Sequence, residues 1–290
     1  MTAFKHLPAQ IADRLIGVRI AARRAMAGSL QGAHRSNRHG ASVEFAEYRD
    51  YTPGDAPNLI DWSVYARTDR YLVRRFEEET NLVGTVLVDS SQSMAWRGLG
   101  PCTKLDYACS LAAAAMYVLV DQGDRAGLAT FAATVIERHA AAGSASSLKP
   151  MLAALDLVAG RGRGDIGAAL SAAAPTLPRR SLAIVISDCL QPPASVATGV
   201  RRLHHDGHDV RVWHVVDRGE LTLAQTGLVE AVDAESGERI EVDCDELREA
   251  YRRAAAAHLD EIRRACLGAG ADYRLVHTDT PIDSALRSMA

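Results

Sequence analysis

The fold is indicated first by residues 82–94, which read LVGTVLVDSSQSM. Residues 82–88 form an apolar and β-branched run, which is typical of a strand buried on both faces of a sheet. The run stops at Asp89, where the polar residues begin. The same pattern recurs at 181–187, directly before Asp188, and at 209–216. These three runs predict neighbouring strands of one buried sheet.

Helical segments lie between these strands and predict how the sheet is covered. The Ala-rich stretch 104–121 predicts one helix, and further helices are predicted at 146–158, 165–174, 192–206, 244–268 and 281–289. Alternating strands and helices favour a parallel sheet with helices on both faces. Residues 81–290 are therefore predicted to form a Rossmann-like, doubly wound, mostly parallel α/β domain. Residues 227–243 predict a hairpin around a Glu-Ser-Gly turn.

Composition limits the classes of function. The 290 residues carry 33 Lys plus Arg against 36 Asp plus Glu, a net charge of −3, and 48% are hydrophobic. This balance is typical of a globular protein and predicts no nucleic-acid partner. The longest apolar run, 111–120, is shorter than the roughly 20 residues of a membrane span, so none is predicted. The five cysteines show no disulfide or zinc spacing, and without a secretory segment we expect a cytoplasmic protein.

The segment 1–30 is predicted to hold an amphipathic helix over 8–28. Residues 1–40 contain seven Lys or Arg and one Asp, an excess of +6. One interpretation is a surface for anionic lipid or nucleic acid. The other is a basic helix whose apolar stripe packs on the rest of the chain.

Residues 31–80 form a second region, predicted to be a small β-rich subdomain of short strands and loops. Turn residues Pro-Gly-Asp at 53–55 separate short aromatic and β-branched runs, and 71–76 predicts a strand. Asp61, Trp62 and Arg67 have two interpretations. They form a buried polar and aromatic cluster, or they bind a partner, since Trp and Arg are common interface anchors.

A cation site is predicted at the carboxyl edge of the sheet, where α/β domains place their ligands. Asp89, Ser91 and Ser93 form a D-x-S-x-S motif just after the first strand. A carboxylate and two hydroxyls on alternate residues are hard oxygen ligands that suit Mg²⁺ or Mn²⁺. Asp188 follows a neighbouring strand and is predicted as a direct or water-mediated ligand. The structural alternative for each Asp is a helix cap or turn residue.

Nearly the whole chain resembles the bacterial domain of unknown function 58 family, and its motif resembles the metal-ion-dependent adhesion site of von Willebrand factor type A domains. The residues that carry the resemblance are His34-Arg35-Ser36, Ser42-Val43-Glu44-Phe45, Tyr48-Arg49, Tyr51, Pro53-Gly54-Asp55, Ile60-Asp61-Trp62, Ala66-Arg67, Phe76-Glu77-Glu78-Glu79, the D-x-S-x-S motif, Asp124-Arg125, Ile186-Ser187-Asp188, Thr278 and Leu286. The resemblance implies a von Willebrand factor A-like core, frequent pairing with MoxR-type AAA+ ATPases and no established catalytic activity.

The chain departs from the adhesion-site pattern on a second loop. That pattern places a Thr ligand there, usually as Gly-Thr-Asp before a helix, whereas residues 162–167 read GRGDIG. Gly164 therefore stands where the Thr ligand is expected. Asp165 either replaces the lost ligand or caps the following helix.

These observations lead to one main hypothesis and two alternatives. The main hypothesis is a non-enzymatic protein-interaction module that presents a divalent cation to an acidic side chain. The resemblance implies a MoxR-type ATPase as its partner, in chaperone-like maturation of a client protein. One alternative is a metal-dependent hydrolase that uses the same carboxylates. The other is a binder of anionic surfaces or nucleic acid that acts through the basic N-terminal segment.

Overall fold

The structure of the chain is a computed structural model. It describes residues 4–22, 43–52, 55, 60–78 and 82–289. The chain divides into two compact units, one formed by Met1–Arg24 with Leu82–Ala290 and the other by Ala25–Asn81. All five predicted metal ligands belong to the larger unit, whereas Asp61, Trp62 and Arg67 belong to the smaller one.

Strands and helices are numbered in chain order over the described residues. The strands are β1 (Val43–Asp50), β2 (Leu72–Glu78), β3 (Val83–Asp89), β4 (Arg125–Phe131), β5 (Val135–Ala142), β6 (Leu182–Ser187), β7 (Asp209–Val216), β8 (Leu228–Val232), β9 (Arg239–Asp243) and β10 (Asp272–His277). The helices are α1 (Ala9–Arg14), α2 (Trp62–Thr68), α3 (Lys104–Asp121), α4 (Ala145–Leu157), α5 (Ile166–Ala173), α6 (Pro193–His205), α7 (Arg218–Thr222), α8 (Cys244–Gly268) and α9 (Ile282–Met289).

The larger unit is built on a six-stranded sheet in the order β10-β7-β6-β3-β4-β5. The first five strands are parallel to their neighbours, and β5 at one edge is antiparallel to β4. Strands β6 and β7 are buried along their whole length, as their continuous apolar sequences predict. The predicted mostly parallel α/β sheet is confirmed.

Helices cover both faces of this sheet. On one face α5, α6 and α8 pack over side chains such as Leu87 and Val185. Helix α3 packs on the other face, where a Cβ added at Gly84 would lie 2.6 Å from the Leu119 side chain. Strand β3 and strand β6 are neighbours whose following helices lie on opposite faces. Their carboxyl ends therefore flank the crevice where doubly wound sheets bind ligands.

The N-terminal segment packs on the larger unit and is less helical than predicted. Helix α1 ends at Arg14, and Gly17 adopts a left-handed φ of 79°. The predicted helix over 8–28 is therefore wrong beyond the first turns, because the backbone leaves helical geometry there. Ile20 instead pairs with Gln122, the residue directly after α3, donating its N–H at 3.0 Å and accepting at 2.8 Å through its carbonyl. Residues 23–28 of the predicted helix lie outside the described residues.

Burial in this segment favours packing over a free basic surface for residues 4–22. Leu15 and Ile20 are each only 1% exposed. The Lys5 ammonium pairs with Asp106 of α3 at 2.6 Å. The apolar stripe thus docks on the rest of the chain, as one of the two interpretations predicts.

One buried arginine joins this segment to the end of the chain. Arg211, on β7, donates to the Met289 carbonyl at 3.0 Å and also to the Ala21 carbonyl. Arg287 of α9 in turn donates to the Arg14 carbonyl at 2.7 Å. Residues near both ends of the described chain therefore meet at Arg211.

The smaller unit contains β1 and β2 as an antiparallel pair with α2 between them in sequence. The predicted strand at 71–76 is confirmed as part of β2. Helix α2 was not predicted, since the region is expected to hold only strands and loops. It forms because Asp61 caps it, accepting from the Ser63 and Val64 N–H groups at 3.0 and 3.3 Å.

The predicted hairpin at 227–243 is confirmed. Strands β8 and β9 pair with each other in a separate two-stranded sheet. Gly237 occupies the turn with a φ of 73°, which a residue without a Cβ adopts at little cost.

Candidate cation site

The carboxyl edge of the sheet brings the two predicted aspartates into one buried region. Asp89 ends β3 and Asp188 directly follows β6, and each is 3% exposed. Asp89 accepts from the Ser91 N–H at 2.9 Å and from the Ser187 hydroxyl at 2.6 Å. Burial and then the charge of Asp188 raise the pKa of Asp89 to about 7. The site thus holds a carboxylate whose charged form is destabilised.

The two predicted serine ligands also lie together. The Ser91 and Ser93 hydroxyl oxygens are 3.1 Å apart. Residues 92–95 form a 3-10 turn, and the Met94 N–H donates to the Ser91 carbonyl at 3.1 Å. The Gln92 N–H donates to the Gly162 carbonyl at 3.0 Å, which ties this loop to the second loop. The D-x-S-x-S motif therefore forms one compact group of oxygen donors.

Lys104 is a central residue that the sequence did not indicate. Its side chain is fully buried at the start of α3, and its ammonium donates to Asp188 at 2.8 Å and to Glu220 of α7. The ammonium also lies 5.8 Å from the centre of the Trp96 ring. Burial lowers the pKa of Lys104, but the charges of Asp188 and Glu220 outweigh it, so the net shift is upward. Lys104 is therefore a buried cation.

The charges at this edge do not balance. Asp188 and Glu220 bind the Lys104 ammonium, and the charge of Asp188 acts on the buried Asp89; these four groups carry a net charge of −2 when all are ionised. His214, whose pKa burial lowers to about 4, is neutral near pH 7 and adds no positive charge. The buried group accordingly favours either a bound proton or a bound cation.

The second loop places Gly164 against the serines. A Cβ added there would lie 3.1 Å from the Ser91 Cβ and 2.6 Å from the Gln191 Nε2. Gln191 accepts from the Ile166 N–H through its Oε1 at 2.8 Å, which turns its amide nitrogen toward Gly164. The space of the expected Thr side chain is thus filled by an amide donor, which does not bind cations.

The sequence left two roles open for Asp165, replacement of the lost Thr ligand and capping of the following helix. The structure shows the capping role. Its carboxylate accepts from the Ala168 N–H at 3.0 Å and lies 3.4 Å from the Ser195 hydroxyl. The side chain is exposed at the start of α5. The structure does not bring it to Ser91 and Ser93.

Asp217 is a second residue that sequence reasoning missed, although its signal was present. It directly follows β7, just as Asp188 follows β6. Its carboxylate accepts from the Leu99, Gly100 and Gly219 N–H groups and from the Thr278 hydroxyl, at 2.7–3.0 Å. Asp217 therefore fixes the loop after the motif rather than supplying a free ligand.

The three residues predicted to bind a partner lie in the smaller unit and differ in exposure. Asp61 is buried and also accepts from the Tyr48 hydroxyl at 2.9 Å. Trp62 is 56% exposed and packs edge-on against Tyr65 with ring centres 6.0 Å apart. Arg67 is exposed and donates to the Ser63 carbonyl at 3.1 Å. Asp61 is thus structural, and Trp62 and Arg67 are available at the surface.

The described residues contain neither a cluster of acidic, histidine and cysteine ligands nor a helix suited to a membrane. Within 4–22, 43–52, 55, 60–78 and 82–289, no three or more His, Cys, Asp or Glu side chains form a group that could hold a metal ion. The candidate site depends instead on the hydroxyls of Ser91 and Ser93 beside one carboxylate. None of the helices in the described part of the chain is both long and apolar enough to cross a membrane.

We expect the Asp89→Asn variant to lose part of the pH dependence of stability. The pKa of Asp89 is about 7 in the folded chain against 3.8 ordinarily. The folded state thus binds this proton more tightly than the unfolded state, so its contribution to stability is full below about pH 4 and is lost as the pH rises to about 7. The difference in unfolding free energy between wild type and variant should change by about 2 kcal/mol over that range, less than the full shift because Asp188 shares the proton.

Urea unfolding between pH 4 and 8, without divalent cations, measures this difference. Asparagine keeps the shape of the side chain, so both proteins can be compared in the folded state. Stability curves that run parallel over the whole range would contradict the expectation.

Comparisons with known proteins agree with the architecture. A model of the family described as "Protein of unknown function DUF58" matches residues 47–261. The uncharacterized protein Rv1480 of Mycobacterium tuberculosis is 31% identical over 276 residues, which cover 93% of this chain and 86% of that protein. The uncharacterized protein Mb1516 of Mycobacterium bovis matches with the same values.

Solved structures resemble the larger part of the chain. The conserved hypothetical protein BatB from Bacteroides thetaiotaomicron matches with a TM-score of 0.50 and 17% identity, covering 72% of this chain and 95% of that chain. The VWA domain of SpRpn10 matches with a TM-score of 0.43 and 14% identity, over 73% and 96% of the two chains.

The sheet order of the larger unit, with one antiparallel edge strand and helices on both faces, is a von Willebrand factor A-like fold. The family match covers well over half of the chain, and relatives above 30% identity span most of both sequences. This protein therefore belongs to the DUF58 family.

Proposed function

We propose that this chain is a non-enzymatic protein-interaction module that presents a divalent cation, Mg²⁺ or Mn²⁺, to an acidic side chain of a partner. The observation that carries the proposal is the meeting of the Ser91 and Ser93 hydroxyls, 3.1 Å apart, beside the buried carboxylate of Asp89. These hard oxygen donors belong to one loop at the ligand-binding edge of the sheet.

The residues present fit such a cation in donor type and in charge. The buried carboxylates and Lys104 carry a net charge of −2 when ionised, which two positive charges would offset. Asp89 is the carboxylate that has no lysine partner among the described contacts. Asp188 already binds Lys104, so we assign it a role through its charge or through a bridging water.

The donor set is suited to a shared rather than a closed site. When bound, the cation would supply a positive charge and an open coordination position. Asp89, Ser91 and Ser93 would hold it from one side, whereas Gln191 fills the side of the expected Thr with an amide nitrogen. A carboxylate from a partner would then complete the oxygen ligands.

Membership of the DUF58 family extends this proposal to the partner. We assign that role to a MoxR-type AAA+ ATPase, in chaperone-like maturation of a client protein. The alternative of a metal-dependent hydrolase needs a general base beside the cation, and Asp188, the second carboxylate at this edge, already binds Lys104.

We expect chelator-treated wild-type protein to bind Mg²⁺ or Mn²⁺ saturably, and Asp89→Ala to lose at least tenfold in affinity. The alanine removes the charged oxygen ligand and leaves the serine hydroxyls alone. Isothermal titration calorimetry measures both proteins, with circular dichroism to verify folding. Asp165→Asn is the matched control, since that carboxylate caps α5 and should leave the affinity unchanged. No binding by the wild type, or equal binding by Asp89→Ala, would refute the cation site.

The same pair of variants tests the partner. A purified MoxR-type ATPase from the source organism should bind Asp89→Ala at least tenfold more weakly than Asp165→Asn. This experiment compares variants instead of removing Mg²⁺ with a chelator, because the ATPase needs Mg²⁺ for its own nucleotide. Equal affinities would mean that the ATPase does not bind through the candidate site.

A further inference from the structure

The β8–β9 hairpin reaches the loop beside the candidate site. At its turn, Glu235 accepts from the Gly164 N–H through Oε1 at 3.3 Å. Gly164 is the residue at the expected Thr position, and its neighbour across the loop is Ser91, whose Cβ would lie 3.1 Å from a Cβ on Gly164. The Glu235 carboxylate thus bonds to Gly164, and Gly164 lies beside Ser91 of the serine pair.

The turn fixes the backbone that carries this carboxylate. Asp233 accepts through Oδ1 from the Glu235 N–H at 2.8 Å and from the Ser236 N–H at 2.7 Å. These backbone bonds lower the pKa of Asp233, and the positive charge of Arg163 adds to the effect. The acidic turn therefore faces a basic residue next to Gly164, and the charges of the two segments are complementary.

Few other contacts hold the hairpin in place. Among the strands that the structure describes, β8 and β9 pair only with each other, and Leu228, Val232 and Ile240 are 69%, 51% and 57% exposed. An isolated two-stranded hairpin of this kind is marginally stable. It can therefore be moved aside at low cost in free energy.

We propose that the β8–β9 turn is an internal acidic ligand, whose Glu235 occupies the position on the Gly164 loop that an acidic side chain of a partner takes. The inference rests on the proposed function, and it adds a regulatory step and a partner chemistry. Binding requires that the hairpin be displaced, and the displacing segment carries a carboxylate on an exposed turn. In the absence of that segment, Glu235 stays on the Gly164 N–H.

The test uses the full chain labelled with ¹⁵N and a synthetic peptide of residues 228–243 as a competing acidic turn. The variants are Glu235→Ala, which removes the internal carboxylate, and Glu238→Ala, a control on the same turn with an exposed side chain. We expect Glu235→Ala to shift the Gly164 amide resonance, and Glu238→Ala to leave it in place. In Mg²⁺, the peptide should bind Glu235→Ala at least tenfold more tightly than the wild type. A peptide with alanine at position 235 should not bind.

The outcomes separate this inference from the proposed function. Equal affinity of the peptide for wild type and Glu235→Ala would overturn the inference, as would no binding to either. A Gly164 amide resonance that does not shift in Glu235→Ala would also overturn the inference. Preferential binding to Glu235→Ala that is the same with and without Mg²⁺ would uphold displacement of the hairpin and refute the cation.

Discussion

Replacing Lys104 by methionine should lower the free energy of unfolding by about 3–5 kcal/mol. Methionine keeps the apolar stem but leaves Asp188 and Glu220 without the ammonium that now bonds both. The charge of Asp188 acts on both Asp89 and Glu220, so the repulsion among these carboxylates increases once the ammonium is gone. Urea unfolding at pH 7.5 measures the loss.

Lys149 offers a matched control on the surface. It is exposed on α4, and Lys149→Met should change the stability by less than about 0.5 kcal/mol. The double variant Lys104→Met/Glu220→Gln should lose less than Lys104→Met, because one of the two stranded charges is removed. If Lys104→Met behaves like Lys149→Met, the buried ion pairs contribute nothing to stability.

Replacing Asp217 by alanine should cost about 3 kcal/mol of unfolding free energy. The carboxylate accepts four hydrogen bonds, three of them from backbone N–H groups that lose a protein acceptor in the variant. Burial raises the pKa of Asp217, but the bonds from Gly219, Gly100 and Leu99 outweigh it and lower the pKa overall. The stability from Asp217 is thus present above about pH 4 and is lost as the pH falls further.

Thermal and urea unfolding of Asp217→Ala and Asp217→Asn measure this cost. Asparagine keeps one acceptor oxygen, so its loss should lie between wild type and alanine. Asp279→Ala is the control, because that carboxylate pairs with Arg218 at the surface and should cost less than about 1 kcal/mol. A full-sized loss in Asp279→Ala would mean that the loop depends on surface charge instead.

The sheet and its carboxyl edge could be predicted because both follow from local patterns of apolar residues in the sequence. Buried strands give continuous apolar runs, and parallel strands bring their ends to one edge, so Asp89 and Asp188 were expected to meet. The same rule applied to β7 would have found Asp217. The predicted helix over 104–121 matches α3 at both ends.

The partners of those aspartates could not be predicted, because they come from distant segments. Lys104 looks like any lysine at the start of a helix, and only the packing of α3 on the sheet buries it. Gln191 and Glu235 reach the Gly164 loop across 25 or more residues. The N-terminal helix was predicted too long because the apolar stripe of the sequence continues past Gly17. The backbone leaves helical geometry at that residue.

Arg211 joins two segments of this protein that are translated at very different times. Its guanidinium binds the Ala21 carbonyl and the Met289 carbonyl, which emerges from the ribosome almost 270 residues after Ala21. Helix α3, on which the N-terminal segment packs, also comes late relative to that segment. Residues 4–22 therefore remain unpacked, with Leu15 and Ile20 exposed to solvent, until the segments that bury them have been translated. During that interval these two side chains are open to chaperones, and the larger unit closes only once residue 289 has left the exit tunnel.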